Sequence, residues 1–150
     1  MNLLKKVLLV EDNEEDVDLT LLSFKANNLG NEVVVVRDGA EAIDYLFCTG
    51  KFAGRDISDM PAVIFLDLNL PKIGGLDVLK RLRADPRTRR QPVVALTSSN
   101  EERDLLMSYD LGVNSYIRKP VDLQQFNEAI RQLGLYWILL NEMPPSSKNT

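Results

Sequence analysis

The sequence contains no histidine and only one cysteine in 150 residues. The lack of histidine excludes Ser/His/Asp and Cys/His catalytic groups, histidine metal sites and a phosphohistidine formed on this chain. The single cysteine, Cys48, cannot form an internal disulfide, which is typical of proteins in a reducing compartment. Any acid–base or nucleophilic chemistry must therefore rest on Asp, Glu, Lys, Ser, Thr, Tyr or Cys side chains.

Long apolar runs and an excess of basic charge are also missing. Lys and Arg number 18 against 22 Asp and Glu, and this formal net charge of −4 argues against nucleic-acid binding as the main role. No apolar run approaches the roughly 20 residues of a membrane helix, and the run that begins at Val7 is too short for a signal peptide. We expect a cytoplasmic protein that binds neither nucleic acid nor membranes.

The arginine-rich stretch around the end of the third predicted helix lacks interleaved aromatic residues. It contains Arg81, Arg83, Arg87, Arg89 and Arg90. We interpret it as a solvated face rather than a nucleic-acid site.

The composition and the hydrophobic pattern indicate one α/β domain. With 45% hydrophobic and 27% charged residues, the chain has enough apolar side chains for one core. Five short apolar runs recur about every 20 to 30 residues, as expected for strands joined by crossover helices. The runs are Val7 to Val10, Val33 to Val36, Ala62 to Leu66, Val93 to Leu96, and Tyr116 with Ile117. They show no polar alternation, which predicts parallel strands covered on both faces.

Helix-start signals separate these runs. Acidic residues follow Asn13, and Asp38 with Glu41 has the spacing of a capping box. Gly74 and Gly75 form a turn before the third helix, which must end before Pro86, and Ser99 with Glu102 repeats the capping spacing. The segment 49–60 is predicted to be a long loop.

Polar residues fall where the predicted strands end. Glu11 and Asp12 follow the first strand, Asp67 the third, Thr97 the fourth and Lys119 the fifth. Ligands of open parallel sheets bind at the carboxyl ends of the strands, so these groups converge if strand one lies beside strand three. The simpler alternative is that the acids cap the following helices and that Lys119 is a surface lysine.

This residue set suits phosphoryl transfer. Carboxylates that persist together need a cation, and Mg²⁺ prefers oxygen ligands. An aspartate can act as a nucleophile toward phosphorus, and we identify Asp67 as the candidate. Lys119 and the Thr97 hydroxyl are suitable partners for the phosphoryl oxygens.

Four segments resemble the receiver domain of bacterial two-component response regulators. They are residues 7–13 (VLLVEDN), 63–71 (VIFLDLNLP), 96–99 (LTSS) and 116–120 (YIRKP). The resemblance covers residues 5–133 and implies a flavodoxin-like (βα)5 three-layer sandwich with parallel strand order 2-1-3-4-5. It implies a Mg²⁺-dependent phosphoacceptor that catalyses its own phosphotransfer and dephosphorylation, with a histidine kinase as its partner.

The resemblance also implies residue roles. Asp67 would be the phosphoacceptor, Asp12 and Asp67 metal ligands, Glu11 a ligand through water, and Asn69 a ligand through its backbone carbonyl. The phosphoryl oxygens would be held by Thr97 and Lys119, the switch aromatic would be Tyr116, and a cis peptide would precede Pro120. From the sequence alone, Tyr116 also fits a strand aromatic that packs on the core.

A narrower likeness points to the single-domain response regulators of phytochrome-type histidine kinases. It rests on the long loop 49–60, on residues 108–112 (SYDLG) and 119–126 (KPVDLQQF), and on Trp137. We therefore expect a stand-alone regulator whose partner is a phytochrome-type kinase.

The last predicted helix extends beyond the receiver and carries a narrow apolar seam. Apolar residues recur at Leu123, Phe126, Ile130, Leu133, Trp137 and Leu140, a spacing of the coiled-coil type. We predict an interface extension at 134–142, a flexible tail at 143–150 and a homodimer through Phe126, Ile130, Leu133, Trp137 and Leu140. The alternative is that the extension folds back on its own domain.

Two other functions remain open at this point. A haloacid-dehalogenase-type phosphatase also uses a strand-end aspartate, although it normally has a second aspartate where this chain has Asn69. The other is a binding protein, either a receiver-like scaffold that is never phosphorylated or a flavodoxin-like cofactor binder, which the lack of a phosphate-cradling loop after the first strand disfavours.

Overall fold

The computed structural model describes residues 6–26, 32–98, 102–119, 124–125, 127–128 and 131–132. The elements are β1 (Val7–Val10), α1 (Glu14–Ala26), β2 (Val33–Val36), α2 (Gly39–Phe47), a 3₁₀ turn (Gly50–Phe52), β3 (Val63–Asp67), α3 (Gly75–Ala84), β4 (Val93–Thr97), α4 (Glu102–Asp110) and β5 (Ser115–Arg118). The described residues between 124 and 132 are helical. The predicted extension at 134–142 and the tail at 143–150 lie outside the described residues, and the domain boundaries stay a prediction.

The five strands form one parallel sheet in the order β2-β1-β3-β4-β5. This confirms the predicted fold class and places β1 beside β3. The strands β3 and β4 each end one residue beyond their apolar runs, so Asp67 and Thr97 are the last residues of their strands. Polar groups at these two positions therefore belong to the rigid sheet rather than to the loops that follow it.

Alternate residues of each strand pack on opposite faces of the sheet. Leu8 and Val10 of β1 belong to a core cluster that includes residues of α2 and α3. Val7 and Leu9 belong to a second cluster, in which Phe24 of α1 meets Phe65 of β3 edge-on with ring centroids 5.8 Å apart. Burial on both faces explains why the strands show no polar alternation.

The predicted cap of α2 is present with one difference. The backbone N–H of Glu41 donates to Asp38 Oδ1 at 2.7 Å, which satisfies one free amide of the first turn. The Glu41 carboxylate accepts from the backbone N–H of Arg37 at 2.8 Å, one residue before the cap. The α1 helix has a similar start, since the N–H of Asp16 donates to Asn13 Oδ1 at 3.1 Å.

Gly75 is required by a close approach and not by the tight turn that the sequence suggests. A Cβ at this position would lie 2.4 Å from the carbonyl oxygen of Asp67 and 2.5 Å from the Cα of Leu68. Its neighbour Gly74 has φ −67, which any residue adopts. The start of α3 is therefore packed directly on the backbone of the strand end that carries Asp67.

Arg83 departs from the predicted solvated face. Its guanidinium is half-buried and donates to four backbone carbonyls: Leu111 at 2.6 Å, Gln91 at 2.8 Å, Arg89 at 2.9 Å and Gly112 at 3.0 Å. Burial lowers the pKa of Arg83 from its usual value. The side chain joins α3 to the segment before β4 and to the turn before β5, which leads to Lys119.

The long loop at 49–60 contains the 3₁₀ turn and is tied back to α2. The Arg55 guanidinium lies 3.8 Å from the ring centroid of Tyr45 and donates to the carbonyl of Asp59 at 2.5 Å. It also donates to Cys48 Sγ at 3.4 Å, at the end of α2. Among the helices formed by the described residues, none combines the length and apolarity needed to cross a bilayer.

Candidate functional site

Three carboxylates converge at the carboxyl edge of the sheet. Glu11 and Asp12 follow β1, Asp67 ends the neighbouring β3, and one oxygen of each lies within 4.8 Å of the others. Glu11 and Asp67 are 1% and 4% exposed, whereas Asp12 is exposed to solvent. The strand-end acids thus form a cluster, as the sequence predicts for adjacent first and third strands.

Lys119 lies among these acids and is not a free surface lysine. Its Nζ is 2.5 Å from Glu11 Oε1, 2.8 Å from Asp16 Oδ2 and 3.4 Å from Asp67 Oδ2. The contact with Asp16 has the length of a charge-assisted hydrogen bond, the contact with Glu11 is shorter, and the contact with Asp67 is longer. The ammonium offsets part of the repulsion between the carboxylates.

Burial and neighbouring charges shift the pKa values of Glu11 and Lys119. Burial is the main cause that raises the pKa of Glu11 to about 7. The hydrogen bond and negative charge of Asp67 raise this pKa further, whereas the hydrogen bond and charge of Lys119 lower it. For Lys119, burial lowers the pKa, but hydrogen bonds to Asp16 and Glu11 and the charge of Asp67 outweigh it, so the pKa lies above its usual value. Lys119 therefore stays charged at neutral pH.

Asn69 links the phosphoacceptor candidate to the end of β4. Its backbone N–H donates to Asp67 Oδ1 at 2.8 Å, and its side-chain amide donates to Thr97 Oγ1 at 3.0 Å and to Ser98 Oγ at 3.1 Å. Thr97 is fully buried. Because this amide donates protons to hydroxyls and has no acidic proton to give, it does not serve as the acid–base group of the phosphatase alternative.

Tyr116 lies one strand away from these groups, on β5. Its ring is partly buried against the core cluster beneath α2 and α3, and it stacks on Tyr109 of α4 with centroids 6.5 Å apart. The contact agrees with the packing expected of a strand aromatic and joins β5 to an exposed residue of α4.

Several predicted residues lie outside the described residues. They are Ser99, Pro120, Phe126, Ile130, Leu133, Trp137 and Leu140. The cis peptide and the dimer interface accordingly stay predictions.

Asp16 and Ser98 are the site residues that the sequence interpretation missed. The sequence indicates Asp16 only as one of the acidic residues after Asn13 that favour a helix start, yet its carboxylate contacts Lys119. The available signal was its position in the first turn of α1, directly after the acids that follow β1.

The donor set fits a hard divalent cation. Carboxylate oxygens dominate the cluster, two of the three acids are buried, and they persist beside one ammonium, so a further positive charge would relieve their repulsion. These side chains line a cavity of about 360 Å³. A divalent metal ion is therefore compatible with the site.

Comparison with known proteins agrees with this geometry. The family model of the response regulator receiver domain matches residues 7–131. The chain belongs to the response regulator receiver family. This membership explains why the strand order, the acidic cluster and Lys119 occur together, and it leaves the phosphatase alternative without support.

Phytochrome response regulators are among the receivers that resemble it. Response regulator Rcp1 of Synechocystis sp. is 35% identical over 93% of each chain. The phosphorylated cyanobacterial phytochrome response regulator RcpA is 40% identical with a TM-score of 0.85, over 95% of this chain and 99% of that one. The bacteriophytochrome response regulator RtBRR is 53% identical with a TM-score of 0.76, over 97% and 87%.

A metal-bound relative is also known. Rcp1 has been solved in a Mn²⁺-bound form that matches this receiver with a TM-score of 0.84 at 34% identity, over 94% of this chain and 99% of that one. The receiver is similar, over nearly its whole length, to the phytochrome response regulator RcpA and the bacteriophytochrome response regulator RtBRR. Its acids form a cluster compatible with a divalent ion.

Proposed function

We propose that this receiver accepts a phosphoryl group on Asp67 from the phosphohistidine of a partner sensor histidine kinase. The proposal rests on the surroundings of Asp67, a nearly buried carboxylate with the Lys119 ammonium 3.4 Å from one oxygen and the Asn69 amide 2.8 Å from the other. These 150 residues contain no histidine, so a phosphohistidine donor lies outside them.

The phosphoryl transfer forms one bond to this chain and breaks one bond in the donor. An Asp67 carboxylate oxygen forms the new O–P bond, the P–N bond to the donor imidazole breaks, and the electron pair stays on that imidazole. Charge on the transferred group is spread over its equatorial oxygens, for which Lys119 and Thr97 are the proposed partners. The N–H that Lys119 directs at Asp67 makes the longest of its three contacts and is the one most readily given to a phosphoryl oxygen.

Mg²⁺ is the proposed cofactor. When bound, it would supply positive charge between the carboxylates and the phosphoryl group. Asp12 and Asp67 would hold it directly, Glu11 through a water molecule, and Asn69 through its backbone carbonyl.

We also propose that the chain hydrolyses its own acyl phosphate. The side chain of Asn69, which contacts Thr97 and Ser98, is proposed to influence the rate of this hydrolysis.

The proposed partner is a phytochrome-type kinase. Similarity to RcpA and RtBRR over nearly the full chain supports this class over other sensor kinases. The test is to phosphorylate a purified bacteriophytochrome kinase with labelled ATP, remove the ATP and add the receiver. We expect rapid movement of label to wild-type receiver and none to Asp67→Asn. Equal transfer from an unrelated sensor kinase would refute the phytochrome pairing, and labelling of Asp67→Asn would refute the acceptor.

Signal output is proposed to pass through a changed surface. Thr97 would shift toward the phosphoryl group, and Tyr116, which stacks on Tyr109, would follow and alter the exposed face of α4. We propose that residues 5–133 act as a stand-alone receiver and that 134–142 extends the last helix into a homodimer interface.

The interface proposal rests on the seam of Phe126, Ile130, Leu133, Trp137 and Leu140. Sedimentation of a chain truncated after Leu133 tests it. We expect the truncated chain to sediment as a monomer, and an unchanged dimer would refute the extension as the interface.

A further inference from the structure

Asp16 is a fourth carboxylate at the phosphorylation site, and it comes from a helix rather than from a strand end. Its Oδ2 lies 2.8 Å from Lys119 Nζ, and its side chain is 33% exposed. Its backbone is fixed on both sides, because its N–H donates to Asn13 Oδ1 at 3.1 Å and its carbonyl accepts from Thr20 Oγ1 at 2.9 Å. The carboxylate therefore approaches Lys119 from a rigid first turn of α1.

The ammonium of Lys119 has three N–H donors and three carboxylate partners. Glu11 and Asp16 take the two short contacts, and Asp67 receives the long one at 3.4 Å. The Asp16 carboxylate comes from α1 and the Asp67 carboxylate from β3. Because both contact the same Lys119 ammonium, a tighter contact with one of them leaves the ammonium less available to the other.

We propose that Asp16 is a positioning residue that holds Lys119 toward α1 and so keeps Asp67 available to the divalent cation. The inference rests on the proposed function and concerns the regulation of the same site. Without Asp16, the ammonium would turn its charge to Asp67, and cation and lysine would then compete for one carboxylate.

Both electrostatic consequences of losing the Asp16 charge have the same sign. The pocket loses one negative charge, and Lys119 neutralises more of the charge on Asp67. Each change weakens cation binding. By contrast, Asp18 is an exposed aspartate on the same helix, two residues further along and on another face, so its loss changes the net charge equally without touching Lys119.

The experiment measures Mn²⁺ affinity of the full-length chain by electron paramagnetic resonance at about pH 8, above the raised pKa of Glu11. We expect Asp16→Asn to bind Mn²⁺ roughly threefold to tenfold more weakly than wild type, given the partial exposure of the pair. Asp18→Asn should bind like wild type, and Asp16→Glu, which keeps the charge, should recover most of the affinity. Equal affinity of Asp16→Asn and Asp18→Asn would overturn the proposal.

A second background tests whether Asp16 acts through Lys119. In Lys119→Met chains, the effect of Asp16→Asn should be clearly smaller than in the wild-type background, because no ammonium is left to redirect and only the direct loss of one negative charge remains. An undiminished effect in that background would also overturn the proposal. Failure of the underlying function looks different, since wild-type protein itself would then neither bind Mn²⁺ nor be phosphorylated.

Discussion

Replacing Arg83 by methionine should destabilise the receiver much more than the same change at Arg81. Methionine keeps an unbranched apolar stem and the helix preference of arginine but has no donor. Arg83 is half-buried and donates four hydrogen bonds to backbone carbonyls, whereas Arg81 is an exposed residue of the same helix. The pair of variants thus separates this hydrogen-bonded arginine from an ordinary surface arginine.

The magnitude follows from the contacts. Hydrogen bonds from a charged donor contribute about 1.5 to 3 kcal/mol each, so four would give an upper bound of roughly 6 to 12 kcal/mol. Burial of the guanidinium offsets part of this, as its lowered pKa indicates, and the freed carbonyls at the half-exposed edge can be hydrated. We expect a loss of about 2 to 4 kcal/mol for Arg83→Met and less than about 0.5 kcal/mol for Arg81→Met.

Urea unfolding followed by circular dichroism measures both values. Arg83→Lys should fall between wild type and Arg83→Met, because one ammonium has three donors and cannot reach all four carbonyls around the edge of the guanidinium. If Arg83→Met and Arg81→Met unfold at the same midpoint, Arg83 does not stabilise the turns that lead to β4 and β5, and the reasoning is refuted.

Two further predictions concern the site and its support. Gly75→Ala should lower the free energy of unfolding in urea by more than about 2 kcal/mol and impair phosphorylation, because its Cβ would lie 2.4 Å from the Asp67 carbonyl oxygen. Gly54→Ala should be neutral, because a Cβ there meets nothing within 4 Å. Equal stability of the two variants would contradict the close packing at Gly75. Without divalent ions, stability should fall by up to about 3 kcal/mol as pH rises from about 5 to 8, because folding raises the pKa of Glu11 from 4.5 to about 7 and the folded state binds the proton more tightly in that window. Glu11→Gln should remove most of this slope in a chain that has no histidine to titrate there, and an identical slope in the variant would show that another group is responsible.

The sequence was sufficient to predict the elements whose signals are local. The β1 run from Val7 to Val10 needs burial on both faces, and the Asp38 carboxylate marks the start of α2 because it accepts from the backbone N–H of Glu41. The convergence of Glu11, Asp67 and Lys119 followed once the strand order was assumed, since strand ends share one edge of the sheet.

What the sequence could not supply depends on partners distant along the chain. In the sequence, Arg83 looks like its exposed neighbours, because its acceptors at Leu111 and Gly112 are distant along the chain and are brought to it only by the fold. In the sequence, Asp16 looks like an ordinary acidic residue at a helix start, because its partner Lys119, which follows β5, is 103 residues away along the chain. Gly75 carried the signal of a turn, but its real constraint is the backbone of Asp67, which no local pattern reveals.

The most direct test of the account is incubation of the full chain with acetyl phosphate and Mg²⁺, followed by intact-mass analysis. We predict one added phosphoryl group on wild-type protein, its loss when Mg²⁺ is chelated, and none on Asp67→Asn. The control variant Asp18→Asn replaces an exposed aspartate that is not part of the acidic cluster, and it should be modified like wild type. A phosphoryl group that persists on Asp67→Asn, or wild-type protein that remains unmodified by acetyl phosphate and by phosphorylated kinase alike, would contradict Asp67 as the phosphoacceptor.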